Sequence, residues 1–299
     1  MLTHLNAQPA KPARVVIMGA GGFIGGAITA AVRKAGIPVL ALTRREVDLL
    51  ARDAADRLAS QLQSDDAFVA VSAIAPVRSA AMLADNLVMV RAMIAALAKA
   101  PVAHVLNISS DAVFADGPLP LTEKSSRAPE SLHGAMHLAR ELAFAAEVKA
   151  PEATLRPTLV YGPGDPHDGY GPNRFRRLAN ANKDIVLFGE GEERRDHVFI
   201  DDVGELALRI LLHRSEGSLN AVTGQVHSFR EIAEMVIATS GRAVSIKSTP
   251  RSGPMPHGGY RAFDTAACRA AFPDFQFTPL ATGLALAQRR DYPAARQAS

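Results

Sequence analysis

Along the first half of the chain, hydrophobic positions fall into short apolar runs separated by helical stripes. Residues 14–18 (RVVIM) are a β-branched run that ends in a glycine cluster. The next stretch carries Ile28, Ala31 and Val32 at helical spacing, and Gly36 closes it. Further apolar runs follow at 38–43 (PVLALT), 67–73 (AFVAVSA) and 104–109 (HVLNIS), with an Ala/Leu/Met-rich helix over about 86–98. Strands that are apolar throughout and alternate with helices predict a parallel sheet covered on both faces. This pattern runs to 159–161, where residues 162–173 (GPGDPHDGYGPN) crowd turn formers together and end it. Beyond lie two short strands (IVLFG, HVFI), helices over about 202–212 and 228–240, and a Pro/Gly-rich stretch at 250–259.

The glycines between the first strand and the first helix add chemistry to this pattern. Gly19, Gly22 and Gly25, with Phe23 and Ile24 between them, allow a tight turn, close backbone approach to a pyrophosphate and close helix–sheet packing. The helix start then offers free N–H groups and a positive dipole end to an anion. A tight turn without ligand is the bland alternative. After the second strand comes Thr43-Arg44-Arg45, where an acidic residue would hold a ribose 2′-hydroxyl and an arginine suits a 2′-phosphate. NADP is thus favoured over NAD, unless Arg44 is only a solvated loop residue.

The expected architecture is α/β: a flexible leader at 1–13, a Rossmann-type doubly wound sheet at 14–160, and a smaller α/β substrate lobe at 161–299. The segment at about 196–221 is expected to return to the first domain. The chain has 299 residues, 48% hydrophobic, and its 33 basic and 30 acidic residues leave a net charge of +3. With no long basic run, that charge points away from nucleic acid and toward an enzyme with an anionic ligand. Cys268 is the single cysteine, which excludes an internal disulfide and fits a reducing compartment, so the cytoplasm is the expected location. The long apolar stretch at 19–43 is broken by Arg33, Lys34, Gly36 and Pro38, so no membrane span is expected there.

One further helix, at 132–144 (LHGAMHLARELAF), places His133 and His137 four residues apart on one face. Such a pair suits catalysis, metal binding or a plain surface. Two histidines at this spacing bind zinc on metalloprotease helices, but there a glutamate follows the first one, and here it is Gly134.

These segments resemble the extended short-chain dehydrogenase/reductase family, the sugar-nucleotide epimerases, dehydratases and reductases. The glycine spacing is similar, Thr43-Arg44 followed by Asp48-Leu49 resembles the NADP-dependent branch, and Ser109-Ser110-Asp111-Ala112-Val113-Phe114 resembles the segment that carries the catalytic Ser/Thr. Residues 156–163 (RPTLVYGP) resemble the strand and turn beside the nicotinamide. The resemblance implies Ser110, His133 and His137 as the catalytic positions. It also implies a cofactor set of Gly19, Gly22, Phe23, Ile24, Gly25, Arg44, Asp48, Leu49, Ala73, His137 and Pro157.

The family's helix reads Tyr-x-x-x-Lys, and here those positions are His133 and His137, with Gly134 and Glu141 in register. A tyrosine needs a nearby cation to act as a base at neutral pH, whereas a histidine titrates near ~6.5 unaided. The replacement is therefore either a working acid/base with a rate limb at about 6 to 7 or an impaired site that still binds cofactor. Residues 189–196 and 201–203 resemble the substrate-phosphate segment, which implies Arg195, with Asn173 and a looser match at Arg251, for a nucleoside-diphosphate sugar. Arg194 stands with Arg195 for the same anion, Asn173 and Arg174 are weaker candidates, and a salt-bridged pairing of Arg194 and Arg195 with Glu192 and Glu193 is the alternative. Ala112 stands where dehydratases carry a glutamate, so epimerase and reductase remain open. The Ala/Leu/Met/Phe-rich helices at about 86–98 and 131–148 predict a homodimer, as the family pairs them.

Overall fold

In β1 (Arg14–Met18), Val15 and Ile17 point to one side and Val16 and Met18 to the other, all fully or almost fully buried. A strand with two apolar faces needs cover on both. The computed structural model, which describes residues 1–292, supplies it with a chain that alternates strand and helix. After β1 come α1 (Phe23–Lys34), β2 (Val39–Leu42), α2 (Ala54–Ala59), β3 (Asp66–Ala70), α3 (Ala80–Lys99), β4 (His104–Ile108), α4 (Leu132–Glu147) and β5 (Glu152–Pro157). Then β6 (Leu159–Tyr161), α5 (Pro172–Asn180), β7 (Ile185–Phe188), β8 (Arg194–Phe199), α6 (Ile200–Leu212) and β9 (Gly217–Ala221) follow. The chain continues through β10 (Val226–Ser228), α7 (Phe229–Ser240), β11 (Ile246–Thr249), β12 (Tyr260–Arg261), α8 (Ala266–Ala271) and α9 (Leu280–Asp291).

Six strands form one parallel sheet in the order β2-β1-β3-β4-β5-β9. Helices α1 and α6 cover the face of Val15 and Ile17 through Ile28, Val32, Val203 and Leu206. Helices α2, α3 and α4 cover the other face, with Leu58, Val90, Met93, Leu97 and Phe144 packed on Val16, Phe68 and Val105. The chain leaves β1 toward β2 and then crosses back to β3, so the strand order reverses beside β1. Ligands of such sheets bind outside the carboxyl ends of the strands at that reversal. The fold is thus the doubly wound Rossmann type. Helix α3 is the one described helix long and apolar enough to cross a membrane, and its stripe Val90, Met93, Ile94 and Leu97 lies on the sheet.

The smaller lobe holds a sheet of β10-β8-β12 with β6 beside β8, and a pair β11-β7. Its core gathers Phe175, Leu187, Phe199, Phe229, Val236 and Leu284 from α5, β7, β8, α7 and α9. Helix α6 and strand β9 rejoin the first domain, while β8, from Arg194, stays with the lobe.

Three details differ from the sequence reading. The fifth strand of the large sheet is β5, and residues 159–161 form β6, which pairs with β8 in the lobe instead. Glu152, Thr154 and Arg156 alternate along β5 and hide it from a search for apolar runs. Second, the expected leader is packed down. The Thr3 N–H donates to the Glu216 carbonyl at 2.9 Å, and His4 bonds Ser215 Oγ at 2.7 Å while stacking on His213 at 4.4 Å. The backbone beside the edge strand β9 thereby gains a partner. Third, several of the arginines face elsewhere, as described below; residues 293–299 of the expected lobe lie outside the described residues.

Candidate active site

Between the carboxyl edge of the large sheet and the small lobe lies a cavity of about 1010 Å³. Its floor is the β1–α1 turn, with Gly19, Gly22, Phe23, Ile24 and Gly25 all in the lining. A Cβ on Gly25 would lie 2.1 Å from the Gly19 carbonyl oxygen, so only glycine lets the helix start this close to the strand end. The N-cap is Gly22, no side chain caps the helix, and no acidic residue stands in its first turn. Its leading N–H groups therefore face the cavity without a side-chain competitor, as an anion requires.

The walls are the loops that follow each strand. After β2, Arg44 lies at the exposed rim, with its guanidinium 3.1 Å from Asp48, whose other oxygen accepts the Leu50 N–H at 3.1 Å. Leu49 is buried and, with Ala73 after β3 and Pro157 at the end of β5, also faces the cavity. After β4 a turn carries Ser110, whose Oγ accepts the Ala112 N–H at 3.2 Å and lies 3.3 Å from an Asp111 oxygen.

Helix α4 starts on that turn. Ser131 caps it by accepting the Gly134 N–H at 3.1 Å, and a Cβ on Gly134 would meet the Ala112 carbonyl at 2.1 Å. The glycine after His133 therefore allows the helix to touch the Ser110 turn, which brings His133 and Ser110 to one wall. The His133 and His137 rings stand edge to face with centroids 4.8 Å apart, and His137 is 6% exposed. The Nδ1 of each ring is buried without a partner. Burial lowers the His133 pKa below its usual 6.5, against the pull of Asp111 and with a smaller push from His167. Burial, then His133 and Arg140, lowers His137 well below the same value. Both rings are neutral at pH 7. The rate limb expected at about 6 to 7 therefore moves to lower pH.

Behind the histidines, Glu141 receives both arms of Arg156 at 2.8 Å, Arg127 at 3.0 Å and the Ser109 hydroxyl at 2.6 Å. Burial acts to raise the Glu141 pKa, and these partners outweigh it and hold the carboxyl low. Among the described residues no third histidine, cysteine or carboxylate completes a metal-ligand cluster with the pair. Tyr161 is buried away from the cavity and donates to the Leu280 carbonyl at 3.3 Å. Tyr170 does face the cavity, but its hydroxyl accepts the Phe188 N–H at 3.1 Å within a ring cluster of Phe175, Phe188 and Phe229.

On the lobe side, Asn173 and Arg195 line the cavity. The Asn173 amide is engaged by the Gly162 N–H at 3.1 Å and by Asp165 at 2.9 Å. Arg195 forms an ion pair with Glu193 at 3.2 Å, so the pairing alternative holds for it even as it faces the cavity. Arg251 departs from the sequence reading. It lies 3.5 Å from the same Glu193 and donates to the Phe188 carbonyl at 3.3 Å, which holds it on β7, outside the lining. Arg194 bonds the Val226 carbonyl at an exposed position, and Arg174 is exposed.

Sequence reasoning passed over Arg261, His257 and Asp116. Arg261 is 1% exposed and holds Asp116 at 2.6 Å and the Asp111 carbonyl at 2.9 Å, which ties the lobe to the Ser110 turn. Nothing in the local pattern of a two-residue strand signals such a strut.

Residues 15–222, more than half of the chain, match the model of the NAD dependent epimerase/dehydratase family, and the chain belongs to that family. A dTDP-4-dehydro-6-deoxy-D-allose reductase from Streptomyces bikiniensis is 32% identical over 136 residues, which is 44% of this chain and 40% of that protein. The match thus spans less than half of the relative. A GDP-L-fucose synthetase from Naegleria fowleri, bound to NADP, superposes with a TM-score of 0.80 at 18% identity, over 99% of both chains. A UDP-glucose 4-epimerase from Thermotoga maritima, with UDP-glucose, gives 0.81 at 19% identity over 92% of this chain and 97% of that one.

Proposed function

We propose that the protein is an NAD(P)-dependent epimerase or reductase that acts on a nucleoside-diphosphate sugar at a ring carbon, with His133 as its proton-moving residue. The observation that carries this reading is the shared cavity: the glycine cradle, Ser110 and the histidine pair line one volume. When bound, the nicotinamide supplies hydride exchange with the sugar carbon.

Ser110 Oγ holds the sugar hydroxyl or carbonyl. His133, neutral at pH 7, accepts the hydroxyl proton in the oxidising direction and returns it in the reducing direction. His137, buried beside it and lining the same cavity, would hold the nicotinamide ribose. Arg44 at the open rim supports a 2′-phosphate and hence NADP. Arg195 offers a planar guanidinium to the substrate diphosphate, with Asn173, which also lines the cavity, as its partner. The exposed Leu87 on α3 and Leu132 and Leu142 on α4 support a homodimer through these helices. The single cysteine supports a cytoplasmic location.

Two substitutions test the division of roles. His133→Ala is expected to lower turnover by about 10²- to 10⁴-fold with cofactor affinity unchanged. His137→Ala is expected to weaken the cofactor as well. Steady-state kinetics and calorimetric cofactor titration read these outcomes; full activity in His133→Ala overturns the assignment.

A further inference from the structure

Helix α4 buries a third residue of the histidine stripe, Arg140, at 1% exposure. A guanidinium so deep normally has a carboxylate beside it. Arg140 has neutral acceptors instead: Asn107 Oδ1 at 2.6 Å, the Ser72 carbonyl at 2.7 Å and the Ala70 carbonyl. The acid that acts on it does so through a relay, in which Asn107 Nδ2 donates to Thr154 Oγ1 at 3.3 Å and Thr154 donates to Glu152 at 2.7 Å. Burial pulls the Arg140 pKa to about 10, which leaves it charged at neutral pH. Its charge is therefore permanent, desolvated and one helical turn from His137. Ser72, whose carbonyl it holds, lines the cavity at the end of β3.

We propose that Arg140 is the relocated cation of this site: it supplies from beneath the cavity wall the positive potential that a lysine at position 137 would supply, and it keeps His137 an uncharged neighbour of the proton-moving His133. The proposal rests on the enzymatic reading above and adds a positioning residue to it. The other charged groups around the pair are few. Asp111 faces His133 from the Ser110 turn, and His167 faces it from the loop before α5. Glu152 faces Arg140 from β5. Glu141 on α4 is already saturated by Arg156 and Arg127. Arg140 is the one cation among them that acts on His137.

The test is a titration of the imidazole nitrogens by NMR in the protein without substrate. In the wild type both midpoints are expected below 6.5. Arg140→Met is expected to raise the His137 midpoint. Arg140→Lys keeps the charge and is expected to keep the low midpoint. An unchanged His137 midpoint in Arg140→Met overturns the proposal, as does a wild-type His137 that is protonated at pH 7.

Because removing a buried guanidinium strands its acceptors, a second arm uses His137→Lys. With Arg140 present, two cations meet in one buried place, so His137→Lys is expected to lower the melting temperature more in the wild type than in an Arg140→Met background, a comparison in which the stranded acceptors cancel. An equal loss in both backgrounds also overturns the proposal. Since neither readout needs catalysis, a shifted midpoint without turnover removes the enzymatic reading and leaves Arg140's role standing. Turnover with unshifted midpoints does the reverse.

Discussion

Two walls of one cavity are built by different means. The floor, from β1 into α1, is made of backbone: glycines, leading N–H groups and a helix end without a side-chain cap. The wall on α4 is made of side chains, His133 and His137, carried by a helix whose start is capped and seated on the Ser110 turn. A backbone site has no freedom to change residue, because a single Cβ meets backbone atoms at 2.1 Å. A side-chain site can exchange one proton-carrying group for another and keep its scaffold. That contrast explains how the floor keeps its family's glycine spacing while the α4 wall carries a different pair.

The strongest way to break the contrast is Gly25→Val. The new side chain meets the Gly19 carbonyl, so the turn must open. The expected result is about 1–3 kcal/mol of lost stability and cofactor affinity reduced beyond detection by calorimetry. His133→Ala, by comparison, should melt within a few degrees of the wild type. Wild-type cofactor affinity in Gly25→Val would show that the floor is not built as described.

How much of this was legible in the sequence follows the same division. The glycine turn, the parallel strands and the covering helices were readable because backbone demands leave few residue choices, as at Gly25. Strand β5 was not, because its polar residues find partners on other elements, Arg156 on Glu141 of α4 and Thr154 on Asn107 of β4 as well as on the neighbouring Glu152. Arg140 offered a signal that was missed: a charge on the buried stripe of α4, with Met136, His137, Glu141 and Phe144. The sequence neighbours of Arg251 suggest a substrate role, whereas its partners, Glu193 and the Phe188 carbonyl, lie far from it along the chain.

Acid sharpens the comparison from below, through the strand that supports the side-chain wall. His104 opens β4, which leads to Ser110. Its Nε2 donates to the Ser215 carbonyl at 2.6 Å, and burial pushes its pKa from 6.5 down to about 4. The unfolded chain takes up this proton before the folded one does. The stability is thus complete above pH 6.5 and is lost as pH falls toward 4, by about 3 kcal/mol for this group. Denaturant melts at pH 7 and pH 4.5 measure the loss, and His104→Gln is expected to flatten that part of the slope. An unchanged slope in the variant would assign the acid sensitivity elsewhere.

The smallest expected effect lies at the rim. Arg44 is largely exposed and, among the described residues, leans only on Asp48, so Arg44→Ala should leave stability within about 0.5 kcal/mol. It should weaken NADPH by roughly tenfold, in line with one lost charge-assisted contact, and leave NADH nearly untouched. Equal losses for both cofactors would show that Arg44 does not read a 2′-phosphate.

The central claim is that the side-chain wall performs chemistry with histidine. It is tested most directly by incubating the protein with a panel of nucleoside-diphosphate sugars and NADP or NADPH, with mass and isomer analysis of the products. Product analysis is needed because an epimerase returns its cofactor and leaves the nicotinamide absorbance unchanged. A converted sugar is expected, with its formation lost in His133→Ala while binding persists. Tight binding of NADPH and of several sugars, with no product from any of them, would contradict it and leave a binding protein in place of an enzyme.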